Sequence, residues 1–88
     1  MLELPKKRIA ILGSTGSIGT QALEVIAANP HIFEVEVLTA QNNADLLIEQ
    51  SLQFQPNVVV ITNELLYSKV KEALAQQPIK VYAGAKAL

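Results

Sequence analysis

Apolar residues along this chain alternate between short unbroken runs and stretches with helical spacing. Residues 8–12 form a compact apolar run that stops at Gly13, the pattern of a buried strand. Residues 17–29 space Ile18, Ala22, Leu23, Val25 and Ile26 as a helix does, and Pro30 ends that helix because it disfavours a helical residue before it. Residues 33–39 are β-branched and aromatic-rich, which predicts a second strand. Residues 44–54 place Leu46, Leu47, Leu52 and Phe54 on an amphipathic helix, with Asn43 as its N-cap. Residues 58–61 are four β-branched residues in a row and predict a strand covered on both faces. Asn63 caps a predicted helix over 64–77 whose inward positions are Leu65, Leu66, Val70 and Leu74. Residues 79–83 predict a fourth strand, and Gly84 with the last four residues reads as the start of a further element.

The order is βαβαβαβ, which implies a parallel sheet with right-handed helical crossovers. The fold class expected is α/β: a Rossmann-like three-layer parallel sheet, incomplete, holding about the first half of a dinucleotide-binding domain. Pro5, Pro30, Pro56 and Pro78 punctuate the chain at intervals of 25, 26 and 22 residues, about one βα unit each. No sequence repeat accompanies that rhythm, so it reflects alternating structure and not a solenoid. In half a nucleotide fold the first strand keeps one open edge, which offers a route to a homo-oligomer.

Composition narrows the function. At 88 residues the chain is one small domain at most, and a globule of this size buries only about 60–65% of its unfolded surface. Half the residues are hydrophobic and 17% are charged, which excludes a disordered tail. A net charge of −1 gives no footprint for nucleic acid or an anionic membrane. There is no Cys, which removes disulfides, thiolate metal sites and a Cys nucleophile, and His31 alone cannot build a His metal cluster or a Ser-His-Asp triad. No apolar run approaches the roughly 20 residues needed to span a bilayer, and none is long enough for a secretory signal. The expectation is a cytoplasmic protein, or one of an organelle matrix such as the plastid stroma.

The chemistry concentrates in Gly13-Ser14-Thr15-Gly16-Ser17-Ile18-Gly19, between the first strand and the first helix. A nucleotide fold binds pyrophosphate at that turn. Gly13 allows the tight turn, Gly16 leaves room for phosphate against backbone, and Gly19 lets the helix pack close to the sheet. N–H groups at the helix start and the positive end of its dipole attract the anion. Ser14, Thr15 and Ser17 add hydroxyl donors. The spacing is G-x-x-G-x-x-G and not the strict G-x-G-x-x-G, and a βα turn needing only φ > 0 is the bland alternative. No Gly-Lys-Ser/Thr follows, so this is not a P-loop.

A carboxylate for the ribose of NAD is expected about 20 residues further on. Thr39 stands there, followed by Ala40, Gln41, Asn42 and Asn43. The missing carboxylate argues for NADP, whose 2′-phosphate a carboxylate would repel. No Arg or Lys is present either, so Gln41, Asn42, Asn43 and backbone N–H groups are the donors available. The bland reading of Asn42-Asn43, a turn and a helix cap, is compatible with that role. His31 reads as a loop residue, Lys6-Lys7-Arg8 as a solvated lead-in, and Glu34 and Glu36 as one face or end of the second strand. No pair of carboxylates reads as general acid and base, so no catalytic or metal-ligating residue is assigned.

The whole text, led by the unbroken string I-L-G-S-T-G-S-I-G from Ile11 to Gly19, resembles the opening of the 1-deoxy-D-xylulose-5-phosphate reductoisomerase family. Asn29-Pro30 with Phe33, Leu38-Thr39-Ala40, Asn43, Leu46-Leu47, Glu49-Gln50, Phe54 with Pro56, the strand at Val81 leading to Gly84, and the Ala-Leu ending match as well. The resemblance implies an NADPH-dependent enzyme that rearranges and reduces 1-deoxy-D-xylulose 5-phosphate to 2-C-methyl-D-erythritol 4-phosphate in the non-mevalonate isoprenoid pathway, using divalent Mg or Mn. It implies pyrophosphate-side roles for Thr15, Gly16, Ser17 and Ile18, and adenosine-side contacts near Gln41, Asn42 and Asn43. The chain departs from the family at Gln41-Asn42, where many members carry Gly and then Arg, Lys or a small residue.

Family members run to several hundred residues. The expectation is therefore that residues 1–88 are the N-terminal portion of the NADPH domain, inactive alone, with the metal-binding catalytic and C-terminal helical domains absent. Two other readings stay open at this point. One is another Rossmann reductase, of semialdehyde dehydrogenase or short-chain type. The other is a non-catalytic nucleotide-binding or self-associating module.

Overall fold

A computed structural model describes residues 5–84. Four strands, β1 (Lys7–Ile11), β2 (Phe33–Ala40), β3 (Val58–Ile61) and β4 (Lys80–Ala83), alternate with helices α1 (Ser17–Ala28), α2 (Ala44–Phe54) and α3 (Tyr67–Ala73). All pairings are parallel and the spatial order is β1-β2-β3-β4. The predicted βαβαβαβ alternation is therefore present, and α2 and β3 have the expected bounds. β1 is an edge strand whose outer side has no partner among the described residues.

Consecutive strand order decides where the helices go. Each right-handed crossover moves one strand further in the same direction, so every helix lands on the same face. The core records this: Leu23 and Ile26 of α1, Leu47 of α2, and Val70 and Leu74 at α3 pack in one cluster with Ile11, Val35, Leu38, Val59, Ile61 and Val81 of the sheet. Among the described residues these are two layers, helices on sheet. The opposite face carries Ala10, Val37, Val58, Val60 and Tyr82, and Val60 is buried there between its register partners Thr39 and Tyr82.

Glu36 is the extra residue of a β-bulge. Ile9 pairs with Val35 and Ala10 with Val37, so the register steps over Glu36. Without that step the period-2 alternation would turn Leu38 away from the face that Val35 faces. With it, both are buried in the same core. Asn57, leading into β3, donates its Nδ2 to Glu36 Oε2 at 2.6 Å and its backbone N–H to Glu36 O at 3.0 Å. Arg8 meets Glu34 at 3.4 Å in a solvent-exposed pair across β1 and β2.

Two expectations need correction. The helix predicted over 64–77 is a 3₁₀ turn, Glu64–Leu66, followed by the seven-residue α3, and Leu65 is 92% exposed instead of inward. Asn63 does cap this segment, accepting the N–H of Leu65 at 3.0 Å, but the cap starts a 3₁₀ turn of three residues per turn. That phase carries Leu65 outward and leaves Leu66, Val70 and Leu74 inward. In α2, Leu52 is exposed, and the buried positions are Ala44, Leu47, Gln50 and Ser51. The Ala-Leu ending lies outside the described residues.

Leu47→Ala removes a fully buried side chain and is expected to lower unfolding free energy by about 2–5 kcal/mol. Leu65→Ala is expected to stay within about 0.5 kcal/mol. Urea unfolding of the intact protein distinguishes this from a continuous helix over 64–77, in which both changes would be costly.

Candidate nucleotide-binding site

The loops at the carboxyl ends of the four parallel strands share one rim, because each leaves its strand in the same direction. Residues 12–16 follow β1, 41–43 follow β2, 62–63 follow β3 and Gly84 follows β4. Hydrogen bonds tie each loop to the end of the neighbouring strand or to its loop. Ser14 N–H donates to Thr39 O at 2.8 Å, Thr62 N–H to Ala40 O at 2.9 Å, Asn63 N–H to Gln41 O at 3.0 Å, and Gly84 N–H to Ile61 O at 3.0 Å.

Each loop glycine has a distinct role. Gly13 has φ +73°, a left-handed conformation that costs a residue with a Cβ roughly 1–2 kcal/mol. Its N–H donates to Thr39 Oγ1 at 2.9 Å. A Cβ on Gly19 would lie 2.3 Å from Gly13 O and 2.7 Å from Ser14 Cα, so only glycine lets the first turn of α1 rest on the loop backbone. The close approach at Gly19 is thus to the loop backbone and not, as expected, to the sheet. Gly16 has ordinary extended backbone, and a Cβ there would touch only Gly13 O at 3.5 Å. The fold does not need glycine at position 16; what its absent side chain keeps clear is the space over the loop.

Ser14 corrects the expectation that it supplies a hydroxyl to a ligand. It is fully buried, and its Oγ donates to Gln50 Oε1 at 2.7 Å while Gln50 Nε2 donates back to Ser14 O at 2.8 Å. Gln50, on α2, is itself almost wholly buried. This two-bond clamp ties the loop after β1 to the next crossover helix. Sequence reasoning missed it, although one signal was present: Gln50 stands three residues after Leu47, on the inward stripe of an otherwise apolar helix face.

The N-terminus of α1 is left open. Gly16 occupies the N-cap position and provides no side-chain cap, and the first turn contains no acidic residue. Gly16 N–H is spent on Gly13 O, whereas the N–H groups of Thr15, Ser17, Ile18 and Gly19 have no acceptor among the described residues. Beside them a cleft of about 580 Å³ lies against Leu12, Gly13, Gly16, Ile18, Gly19 and Ala22. Leu12 and Ile18 are exposed there. Another cleft, of about 440 Å³ near Pro30, Phe33 and Phe54, lies at the amino ends of the strands, away from these amides.

At the end of β2, Ala40 contributes no surface side chain; it is buried in the core. Gln41, Asn42 and Asn43 are exposed. Asn43 caps α2, its Oδ1 accepting Leu46 N–H at 3.2 Å, and Asn42 Oδ1 accepts from Asn63 Nδ2 at 2.9 Å. Asp45, in the first turn of α2, is paired with Lys69 of α3 at 2.7 Å. Thr39 and Asn63 are the residues whose roles here exceed the sequence reading: one anchors the glycine loop, the other holds Asn42.

The family model for 1-deoxy-D-xylulose 5-phosphate reductoisomerase matches residues 9–88. The chain belongs to this family. A reductoisomerase of Bacteroides fragilis is 61% identical over all 88 residues, and the chain spans 23% of that relative's length. The chloroplastic reductoisomerase of Oryza sativa is 51% identical over 69 residues, which is 78% of this chain and 15% of the rice protein. Among solved structures, the Zymomonas mobilis reductoisomerase in complex with NADPH superposes with a TM-score of 0.91 at 35% identity, covering 94% of this chain and 22% of that one. A reductoisomerase structure in complex with NADPH, fosmidomycin and magnesium gives 0.86 at 25% identity, covering 92% of this chain and 20% of its own. Membership in the reductoisomerase family selects against the semialdehyde dehydrogenase and short-chain reductase readings.

Gly19→Ala is expected to cost about 1–3 kcal/mol, because α1 must move off the loop to admit the methyl group. Ser14→Ala is expected to cost about 1–3 kcal/mol by leaving Gln50 Oε1 buried without its donor. Thr20→Ala, which removes only an exposed bond from Thr20 Oγ1 to Ser17 O, is expected to cost under about 0.5 kcal/mol. Denaturant unfolding of the three variants ranks them; equal costs would contradict the clamp.

Proposed function

We propose that residues 1–88 form the N-terminal portion of an NADPH-binding Rossmann-like domain. In this reading Thr15, Gly16, Ser17, Ile18 and Gly19 receive the cofactor pyrophosphate, and Gln41, Asn42 and Asn43 receive the 2′-phosphate end. The protein it serves is an oxidoreductase that isomerises and reduces 1-deoxy-D-xylulose 5-phosphate to 2-C-methyl-D-erythritol 4-phosphate, with NADPH supplying the hydride.

The observation that carries the reading is the uncapped start of α1. The N-termini that follow β2 and β3 are each closed by an asparagine side chain, Asn43 or Asn63. α1 alone presents N–H groups behind a glycine turn, with no protein acceptor among the described residues and no carboxylate in the first turn. Unspent N–H groups at the positive end of a helix, with that of Thr15 just ahead of it, suit a pyrophosphate. Ser14 serves by holding the loop and not by touching the ligand. The ends near Asn42 suit a phosphate more than a ribose diol, since no carboxylate stands there to accept two hydroxyls.

Magnesium appears with reductoisomerases of known structure. The described residues do not fit such an ion: no three His, Cys, Asp or Glu side chains converge among them. Among the described residues no helix is long and apolar enough to cross a membrane.

Gly16→Asp tests the reading. The backbone at position 16 admits a side chain, and Asp is a good N-cap, so stability is expected to hold or rise by a few tenths of a kcal/mol. The new carboxylate would occupy the anion site itself. Fluorescence titration of the intact protein is expected to show NADPH and NADH affinities both reduced at least tenfold. Unchanged affinity in a folded variant would place the pyrophosphate elsewhere.

A further inference from the structure

Asn42 occupies the position where this fold meets the adenosine ribose, yet it carries no charge. A carboxamide has a donor end and an acceptor end, and only the donor end suits a phosphate. Something must decide which end faces out.

The deciding group is two loops away. Leu65 N–H can only donate, and it is satisfied by Asn63 Oδ1 at 3.0 Å. That bond fixes the orientation of the Asn63 carboxamide, because the amino end cannot accept. Asn63 Nδ2 must then find an acceptor, and it finds Asn42 Oδ1 at 2.9 Å. Asn42 is turned in consequence: its oxygen is spent on Asn63 and its amino group has no acceptor among the described residues. The Asn63 backbone N–H, bonded to Gln41 O at 3.0 Å, keeps the two loops in register. Asn43 obeys the same logic separately, since its Oδ1 caps α2 and its amino group is unspent. Both asparagines therefore have an oxygen already bonded to a donor and an amino group left unspent. Of the two carboxylates that follow these asparagines in the chain, Asp45 is paired with Lys69, and Glu64 lies beside Gly84 at the far end of the rim.

We propose that Asn63 is a positioning residue for cofactor choice: it holds Asn42 with its amino group outward, so that a 2′-phosphate is accepted without a basic side chain. The inference rests on the NADPH reading above. It assigns to a residue outside the glycine loop and outside 41–43 a part in distinguishing a phosphorylated from an unphosphorylated adenosine ribose.

The test is the ratio of NADPH to NADH dissociation constants, measured by cofactor fluorescence on the intact protein. Asn63→Ser keeps an oxygen able to cap Leu65 N–H but removes the donor to Asn42. Its expected effect is a three- to tenfold fall in preference for NADPH, with NADH binding little changed. Asn63→Asp, which forces Asn42 to turn its amino group inward and adds a negative charge, is expected to lower it further. Asn42→Ala is expected to lower the preference about tenfold or more, the scale of a hydrogen bond to a charged group. In the Asn42→Ala background, Asn63→Ser is expected to change the ratio no further, because its effect passes through Asn42. A merely structural role for Asn63 would weaken both cofactors together and lower thermal stability without moving the ratio, and that result overturns the inference alone. If Asn42→Ala leaves the ratio unmoved, the 2′-phosphate reading itself fails and the inference falls with it.

Discussion

The first turn of α1 lies directly on the backbone of the turn that precedes it, with no room for a Cβ at Gly19 over Gly13 O and Ser14 Cα. That contact sets where the helix starts and in which direction its free N–H groups point. It also explains why the loop needs its other restraints. Gly13 N–H and Ser14 N–H are both spent on Thr39, and the Ser14 hydroxyl and carbonyl are both spent on Gln50. The base of the loop is thus held by β2 and α2, and the donors that stay unspent are those of the rim. A loop fixed before a ligand arrives loses less conformational entropy on binding.

The sheet supports this by its order. Because neighbouring strands are consecutive and parallel, all helices share one face and all carboxyl-end loops share one rim. Residues far apart in sequence then become neighbours through hydrogen bonds: Thr39 with Gly13, Gln50 with Ser14, Asn63 with Asn42. The bulge at Glu36 belongs to the same economy of placement. By stepping the register it keeps Val35 and Leu38 in one core while bringing Thr39 to the glycine turn.

No basic residue stands in the glycine turn or at 41–43, so the nitrogen donors there are amides. Backbone N–H groups serve the start of α1, and carboxamides serve the end of β2. Neutral donors of this kind carry less Coulombic attraction than Arg or Lys, so their orientation matters more than their number. Each asparagine on the rim has its oxygen bonded to a donor, and the amino groups of Asn42 and Asn43 have no acceptor among the described residues.

The alternation of strand and helix, the bounds of α2 and β3, the caps at Asn43 and Asn63 and the glycine turn were all legible in the chain. Each depends on contacts within a few residues: period, branching at Cβ, a cap three positions ahead, a positive φ. The family was legible for a related reason, since a nine-residue string around the turn is dense in constraints on backbone. Tertiary structure decided the rest. The exposure of Leu65 depends on a 3₁₀ phase that a helical pattern does not encode. The removal of Ser14 from the ligand-facing set depends on Gln50, 36 residues away. The orientation of the Asn42 carboxamide depends on Asn63, 21 residues away, and through it on one backbone N–H. Period and propensity report which residue types stand at a loop. Which of their polar atoms are already spent is settled only when distant strands lie side by side.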